Sequence, residues 1–297
     1  MRKRMKLLAV VLCLSMFFAV AQACGSSDSE EKDSVTSENK GDSATAEDEE
    51  VVTIEEQVLF EQDGIVVTAK EYVTDRIWGD GIKLLIENNS DKGVTVGCNA
   101  LIVNNYMISD LFVSGVAAGK KANEIMYLSN TELEAAGIES VGQIEAYFHV
   151  YDSDTYETLF DTECVTIQTS EYENMDTVAD DTGVELYDEG GIRIVGKTVD
   201  ENSFWGTAIL LYCENNSGKN IGISVEEMSI NGFMMNPLFT TTVYDGKMAL
   251  EDITIFSEDL VANGIETIED IELKFHIYDA ATYEAIADTE AVTFSAQ

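Results

Sequence analysis

The sequence predicts an all-β protein: two β-sandwich repeats in tandem, each with one short helix, behind a leader and a disordered acidic linker. Three observations carry this. A constant offset lays residues 64–170 on residues 191–297 without a gap, and roughly 40 of about 107 aligned positions are identical. Within each copy, apolar residues recur at every second position over short runs, the period of a half-buried strand. The runs are broken by Gly, Asn, Asp and Ser, and Pro237 is the single proline.

The clearest paired runs are FHVYDSDTYETLFDTECVT from Phe148 and FHIYDAATYEAIADTEAVT from Phe275. Ile144, Ala146, Phe148 and Val150 form one face of a strand; Ile82, Leu84 and Ile86 form another, matched in copy two by Ile209, Leu211 and Cys213. Val94, Val96 and Cys98 start a strand whose apolar phase shifts to Leu101 and Val103, which calls for a bulge near Asn99. Further strands fit Val58–Phe60, Ile65–Thr68, Val113–Ala118, Ile125–Leu128 and Glu163–Ile167. A helix over Thr131–Ala136 is capped by Ser129 or Asn130. It ends at Gly137 with Leu133 touching Ile138, and Leu260, Gly264 and Ile265 repeat the ending. Seven or eight short strands and one small helix per copy fit an immunoglobulin-like sandwich. The boundaries are a leader at 1–23, an acidic tether at 24–52, repeat 1 at 53–168, a linker at 169–182 and repeat 2 at 183–297.

The leader has the secretory pattern: basic MRKRMK, an apolar run too short to span a membrane, then small residues before Cys24. Ala21-Gln22-Ala23-Cys24-Gly25 resembles a bacterial lipobox, although Ala21 stands where Leu is commonest. That resemblance makes Cys24 the lipidated first residue of the mature chain; cleavage after Ala23 to release a free secreted protein is the alternative. The tether after Cys24 has almost no apolar residue and strong self-repulsion, so it stays extended and supplies reach. Localisation is then the outer face of a bacterial cell membrane, lipid-anchored.

Seventeen Lys and Arg against 56 Asp and Glu give a net charge of −39. Such a field repels nucleic-acid phosphates and anionic lipid headgroups. Partners are therefore the membrane through lipid on Cys24 and a protein or glycan of the cell envelope, with no nucleic acid.

No residue set specifies a reaction, and no catalytic residue and no cofactor is assigned. Cys98, Cys164 and Cys213 face Val225, Ala291 and Ile86 in the other copy, so they read as small packing residues. His149 and His276, the two histidines, share one repeat position and are candidate ligand contacts, for a metal or proton-transfer site beside Tyr151 and Asp152 or Tyr278 and Asp279; one imidazole per copy without a spaced ligand set argues against zinc and for a surface hydrogen bond. Asp152, Asp154 and Asp279 are weak calcium candidates on a turn, but Ala281 replaces Asp154 in copy two, and turn-forming Asp is the simpler reading. The Gly115–Lys120 run is one residue short of a phosphate loop. Trp78 and Trp205 are candidate ligand contacts that could stack on sugar rings, set against an ordinary rim role.

The shared WG, ENNS, GK turn, LxxxGI helix end and FHxYD motifs resemble the domain repeated in lipoproteins of Gram-positive bacteria. More distantly they are similar to the immunoglobulin-like domain of secreted mycobacterial immunoprotective antigens. The resemblance covers roughly residues 54 to 297. It implies a β-sandwich at the cell surface and brings no catalytic residues. The function expected is a lipid-anchored, non-enzymatic binding or structural module of the cell envelope. The alternatives are an acidic-residue hydrolase acting on cell-wall glycan and a calcium-stabilised surface spacer.

Overall fold

In the computed structural model, repeat 1 runs through β1 (Gln57–Gln62), β2 (Ile65–Asp75), β3 (Gly79–Asn88), β4 (Val94–Val103), β5 (Tyr106–Ile108), β6 (Val113–Val116) and β7 (Lys121–Tyr127). Helix α1 (Asn130–Ala135), β8 (Gln143–Asp152), β9 (Thr158–Asp161) and β10 (Val165–Gln168) complete it. The residues described are 51–109, 111–175, 179–203 and 206–295, without the side chains of 201–206. The leader, Cys24, nearly all of the tether and Trp205 lie outside them.

Repeat 2 follows the same order: β11 (Val184–Glu189), β12 (Ile192–Ser203), β13 (Gly206–Asn215), β14 (Ile221–Ile230), β15 (Phe233–Met234), β16 (Thr240–Val243) and β17 (Lys247–Phe256). Then come α2 (Ser257–Ala262), β18 (Asp270–Asp279), β19 (Ala285–Asp288) and β20 (Val292–Ser295). In repeat 1, β1-β2-β3-β7 form one sheet, and β4 pairs β8 in the other with β9 and β10 beyond. In repeat 2, β13 pairs β17 and β14 pairs β18. Non-local pairing of the third strand with the seventh and the fourth with the eighth is the Greek-key exchange of an immunoglobulin-like sandwich.

The alternating residues form the cores as expected: Ile82, Leu84, Ile86, Ile144, Phe148 and Val150 are all fully buried, as are Ile209, Leu211 and Cys213. Strand β8, carrying FHVYD, is an interior strand of its sheet, flanked by β4 on one side and by β9 and β10 on the other. The phase shift in β4 is a bulge at Asn99, between Cys98 and Ala100, and the same bulge recurs at Glu226 in β14. Each helix ends as its glycine dictates. Gly137 has φ 69°, its N–H donates to Glu134 O, and Ile138 N–H donates to Leu133 O; Gly264 and Ile265 repeat this with Val261 and Leu260. Ser129 precedes α1, yet its side chain makes no capping bond. Strands β5 and β9, absent from the strands expected, have runs of four residues or fewer, too short to show a period.

The repeats are joined through a sheet. Strand β5 lies parallel to β17, with Tyr106 opposite Met248 and Met107 opposite Ala249, so the second sheet of repeat 1 and the first sheet of repeat 2 make one ten-stranded sheet. The cores reach across the seam. Val195 and Tyr212 belong to the cluster of repeat 1, with Met248 and Leu250 packed on it, and Met107 packs on that of repeat 2. Tyr147 meets Tyr244 edge-on at 4.8 Å. Lys247 pairs with Glu145, both nearly buried, and its Nζ donates to Asn105 Oδ1 at 3.1 Å. Of the segment expected as a linker, Thr169 is buried and bridges Ile54.

Candidate functional site

The FHxYD turn folds its acids into structural bonds. Asp152 is buried at the end of β8; its Oδ1 accepts the N–H groups of Asp154 and Thr155 at 2.9 and 3.1 Å, and its Oδ2 accepts Lys92 Nζ at 3.0 Å. Asp279 repeats this with Ala281, Thr282 and Lys219. The lysine, then the two N–H groups, hold each carboxyl below the usual carboxylate range. Asp154 is exposed and contributes its backbone, not its carboxylate, to the turn. An Asp bonding its own turn explains why Ala281 can stand at the position of Asp154.

His149 and His276 lie half-buried on the outer faces of β8 and β18. His149 Nδ1 bonds Asn99 Oδ1 at 2.7 Å, and the Asn99 amide donates to Asp161 at 3.0 Å. His276 Nδ1 bonds Asp288 at 2.5 Å. Each ring stacks on the tyrosine two residues on, at 5.6 Å to Tyr151 and 5.4 Å to Tyr278. Those tyrosines in turn face the exposed Tyr156 and Tyr283.

Trp78 stands at the open end of repeat 1, 67% exposed. Asp75 Oδ1 accepts the N–H groups of Ile77 and Trp78 at 2.7 and 2.9 Å, which turns the chain after β2. Gly79 follows with φ 84°, and the Asn130 side chain fills the space where a Cβ would sit. Trp78 thereby lines an apolar groove of about 560 Å³ with Leu111, Phe112, Ile125, Tyr127 and Leu128. The groove runs beside β7, which ends its sheet. In repeat 2 the Leu238 that corresponds to Leu111 exchanges backbone bonds with Thr254, so the matching segment is laid onto β17.

A second depression, about 850 Å³, lies between the repeats and is acidic. Glu132 from α1 and Glu251 and Asp252 from β17 line it. Burial, opposed by a 2.8 Å bond from Thr241 Oγ1, raises the Glu251 carboxyl above its ordinary range; burial raises Asp252 too. Sequence reading did not single out these acids. The available signal was phase: Glu251 falls between Ala249 and Ile253 on the inward side of β17, where an apolar residue is expected. Asn88 and Asn215, within the shared ENNS motif, are fully buried. Asn88 Nδ2 donates to the carbonyls of Lys92 and Val116, and its Oδ1 accepts Ser90; Asn215 does the same with Lys219, Val243 and Ser217.

Cys98 and Cys213 are buried, Cys164 is exposed, and no disulfide joins them. Among the described residues no helix is long and apolar enough to cross a membrane.

No protein-family model and no curated protein matches the chain. Among solved structures it is similar to a Salmonella enterica SafA pilin in complex with the SafB chaperone, at 10% identity over 72% of this chain and 88% of that one, with a TM-score of 0.21. It is also similar to the Escherichia coli chaperone DraB, at 10% identity over 73% and 89%, with a TM-score of 0.20. At such scores neither bears on function, and the fold rests on its own strand order.

Proposed function

We propose that the chain is a lipid-anchored, extracytoplasmic, non-enzymatic binding module of the cell envelope, with the groove beside Trp78 as its contact surface and an extended protein segment as its partner. Anchoring rests on the leader, Cys24 and the acidic tether. Binding rests on one observation: exposed Trp78, Leu111 and Tyr127 converge in an apolar groove alongside the terminal strand β7. Adding a strand supplies main-chain hydrogen bonds, and a neighbouring apolar pocket supplies side-chain selectivity. The molecule already uses this mode internally, where β5 adds to β17, the counterpart of β7.

The test is site-specific photo-cross-linking on intact cells. A cross-linker at Tyr127 should capture one envelope protein that a cross-linker at Tyr283 does not, and Trp78→Ala should abolish the capture. Equal capture from both positions, or capture of glycan only, overturns the reading.

A second reading rests on the acidic cleft. Glu251, held protonated to higher pH by burial, is the kind of carboxyl that serves as a general acid in hydrolysis of wall glycan. Turnover of wall polymers lost in Glu251→Gln would establish it; inactivity of the native chain across a panel of such polymers removes it.

A further inference from the structure

We propose that repeat 2 carries a binding site for a first-row divalent transition ion of the zinc class, formed by Glu226, His276 and Asp288 on the outer face of β14, β18 and β19. Each residue offers one ligand atom, and the three atoms lie within 4.8 Å of one another. His276 and Asp288 are directly opposite across the β18–β19 pair. Glu226 is the extra residue of the β14 bulge, between Val225 and Glu227. A bulge re-aims a side chain, and here it brings a third donor to a pair that sheet register has already assembled.

Repeat 1 supplies the control within the same chain. Its counterparts are Asn99, His149 and Asp161, on the same bulge and the same strands. The Asn99 amide bridges the other two: its oxygen faces His149 Nδ1 at 2.7 Å and its Nδ2 donates to Asp161 at 3.0 Å. That circuit is closed by hydrogen bonds alone. A carboxylate at the same place cannot donate, so Glu226 and Asp288 meet one imidazole as two acceptors. The 2.5 Å contact of His276 Nδ1 with Asp288 Oδ1 is a hydrogen bond; a cation bound at Nδ1 takes its place, with the ring proton carried on Nε2. Asp288 is two-thirds exposed, so it can swing outward to make room.

The donor set selects the ion. One imidazole nitrogen and two carboxylates, with water completing the shell, suit zinc and its neighbours. Calcium takes six to eight oxygen ligands, a shell this set does not supply.

The two histidines make the test direct. Zinc is added to the full chain, and the ring signals of His149 and His276 are followed by NMR, with calcium added in parallel. Zinc should shift His276 at micromolar concentration and leave His149 unmoved, and calcium should move neither. Glu226→Asn, which installs the repeat 1 residue, should weaken zinc at least ~10-fold, the scale reached by loss of even outer-shell partners. Its backbone spectrum should be otherwise native. The proposal is overturned if His276 is unmoved by millimolar zinc, if both histidines respond alike, or if Glu226→Asn binds as the native chain does.

Discussion

The two repeats share their buried polar pins and differ on the faces they turn outward. Asn88 and Asn215, Asp152 and Asp279, and both helix endings make the same bonds in both copies. Around the seam the copies part. Met248 and Leu250 of β17 pack against repeat 1, while Lys121 and Asn123 occupy those positions on exposed β7. Duplication alone would have produced the same adhesive surface twice, and so a chain able to add copies without end. Repeat 2 still presents Phe233 and Met234 of β15, the counterparts of Tyr106 and Met107, 47% and 66% exposed. At the start of β7, away from the groove lined by Ile125 and Tyr127, Lys121 and Asn123 turn a polar face to such strands.

The largest test of that likeness is at the asparagines. Asn88→Ala and Asn215→Ala each strip the donor from one buried carbonyl, that of Val116 or Val243, and one of two donors from a part-buried one, and should each cost ~2 kcal/mol in denaturant unfolding. Equal losses sharpen the picture of one framework used twice; a wide gap breaks it. The next test targets the difference. Lys247→Ala leaves Glu145 in the seam without its cation and should cost ~2 kcal/mol, toward the lower end for a partly buried pair. Lys120, at the same repeat position, is exposed, and Lys120→Ala should stay within ~0.5 kcal/mol. Equal effects would mean that the seam does not hold the repeats together.

Changing both Lys121→Met and Asn123→Leu makes β7 resemble β17 and should turn the chain into a self-associating one. Sedimentation should then show concentration-dependent, head-to-tail species with no loss of strand content. A variant that remains monomeric would show that the polar face is not the barrier.

Much of this is legible in the sequence alone. Period-two runs located Ile82 to Ile86 and Ile144 to Val150, because burial of one sheet face imposes that period regardless of partner. The bulge at Asn99 was legible because an extra residue reverses the phase, and the helix endings because only a left-handed Gly permits them. The seam was not legible. Tyr106–Ile108 is three residues long, and its parallel partner lies about 140 positions away, so no local pattern records it. The Trp78 groove was visible only as an isolated tryptophan, since Leu111 and Tyr127 reach it through tertiary packing. The Glu226 site escaped because the ligands come from three strands with no spacing rule, although the Asn-to-Glu change between copies was in plain view.

The smallest expected effect lies in the acidic cleft. Glu251 is half-buried on the inward side of β17, accepting one bond from Thr241. Its counterpart Glu124 is exposed, and Ser114, at the position of Thr241, has a buried hydroxyl with no partner. Burial raises the folded-state value of Glu251 above that of the unfolded chain, so between the two values the folded chain binds more protons. Stability therefore falls as pH rises through that interval and stays lower above it. Glu251→Gln keeps an acceptor for Thr241 and removes the charge, so it should stabilise the chain at neutral pH by less than ~1 kcal/mol. The gain should vanish below the ordinary glutamate range, near pH ~4, where both forms are neutral. Glu124→Gln should change nothing at either pH. Melting curves of both variants across pH 4 to 8 decide the matter: a Glu251→Gln gain that persists at low pH would place the effect in packing and not in charge.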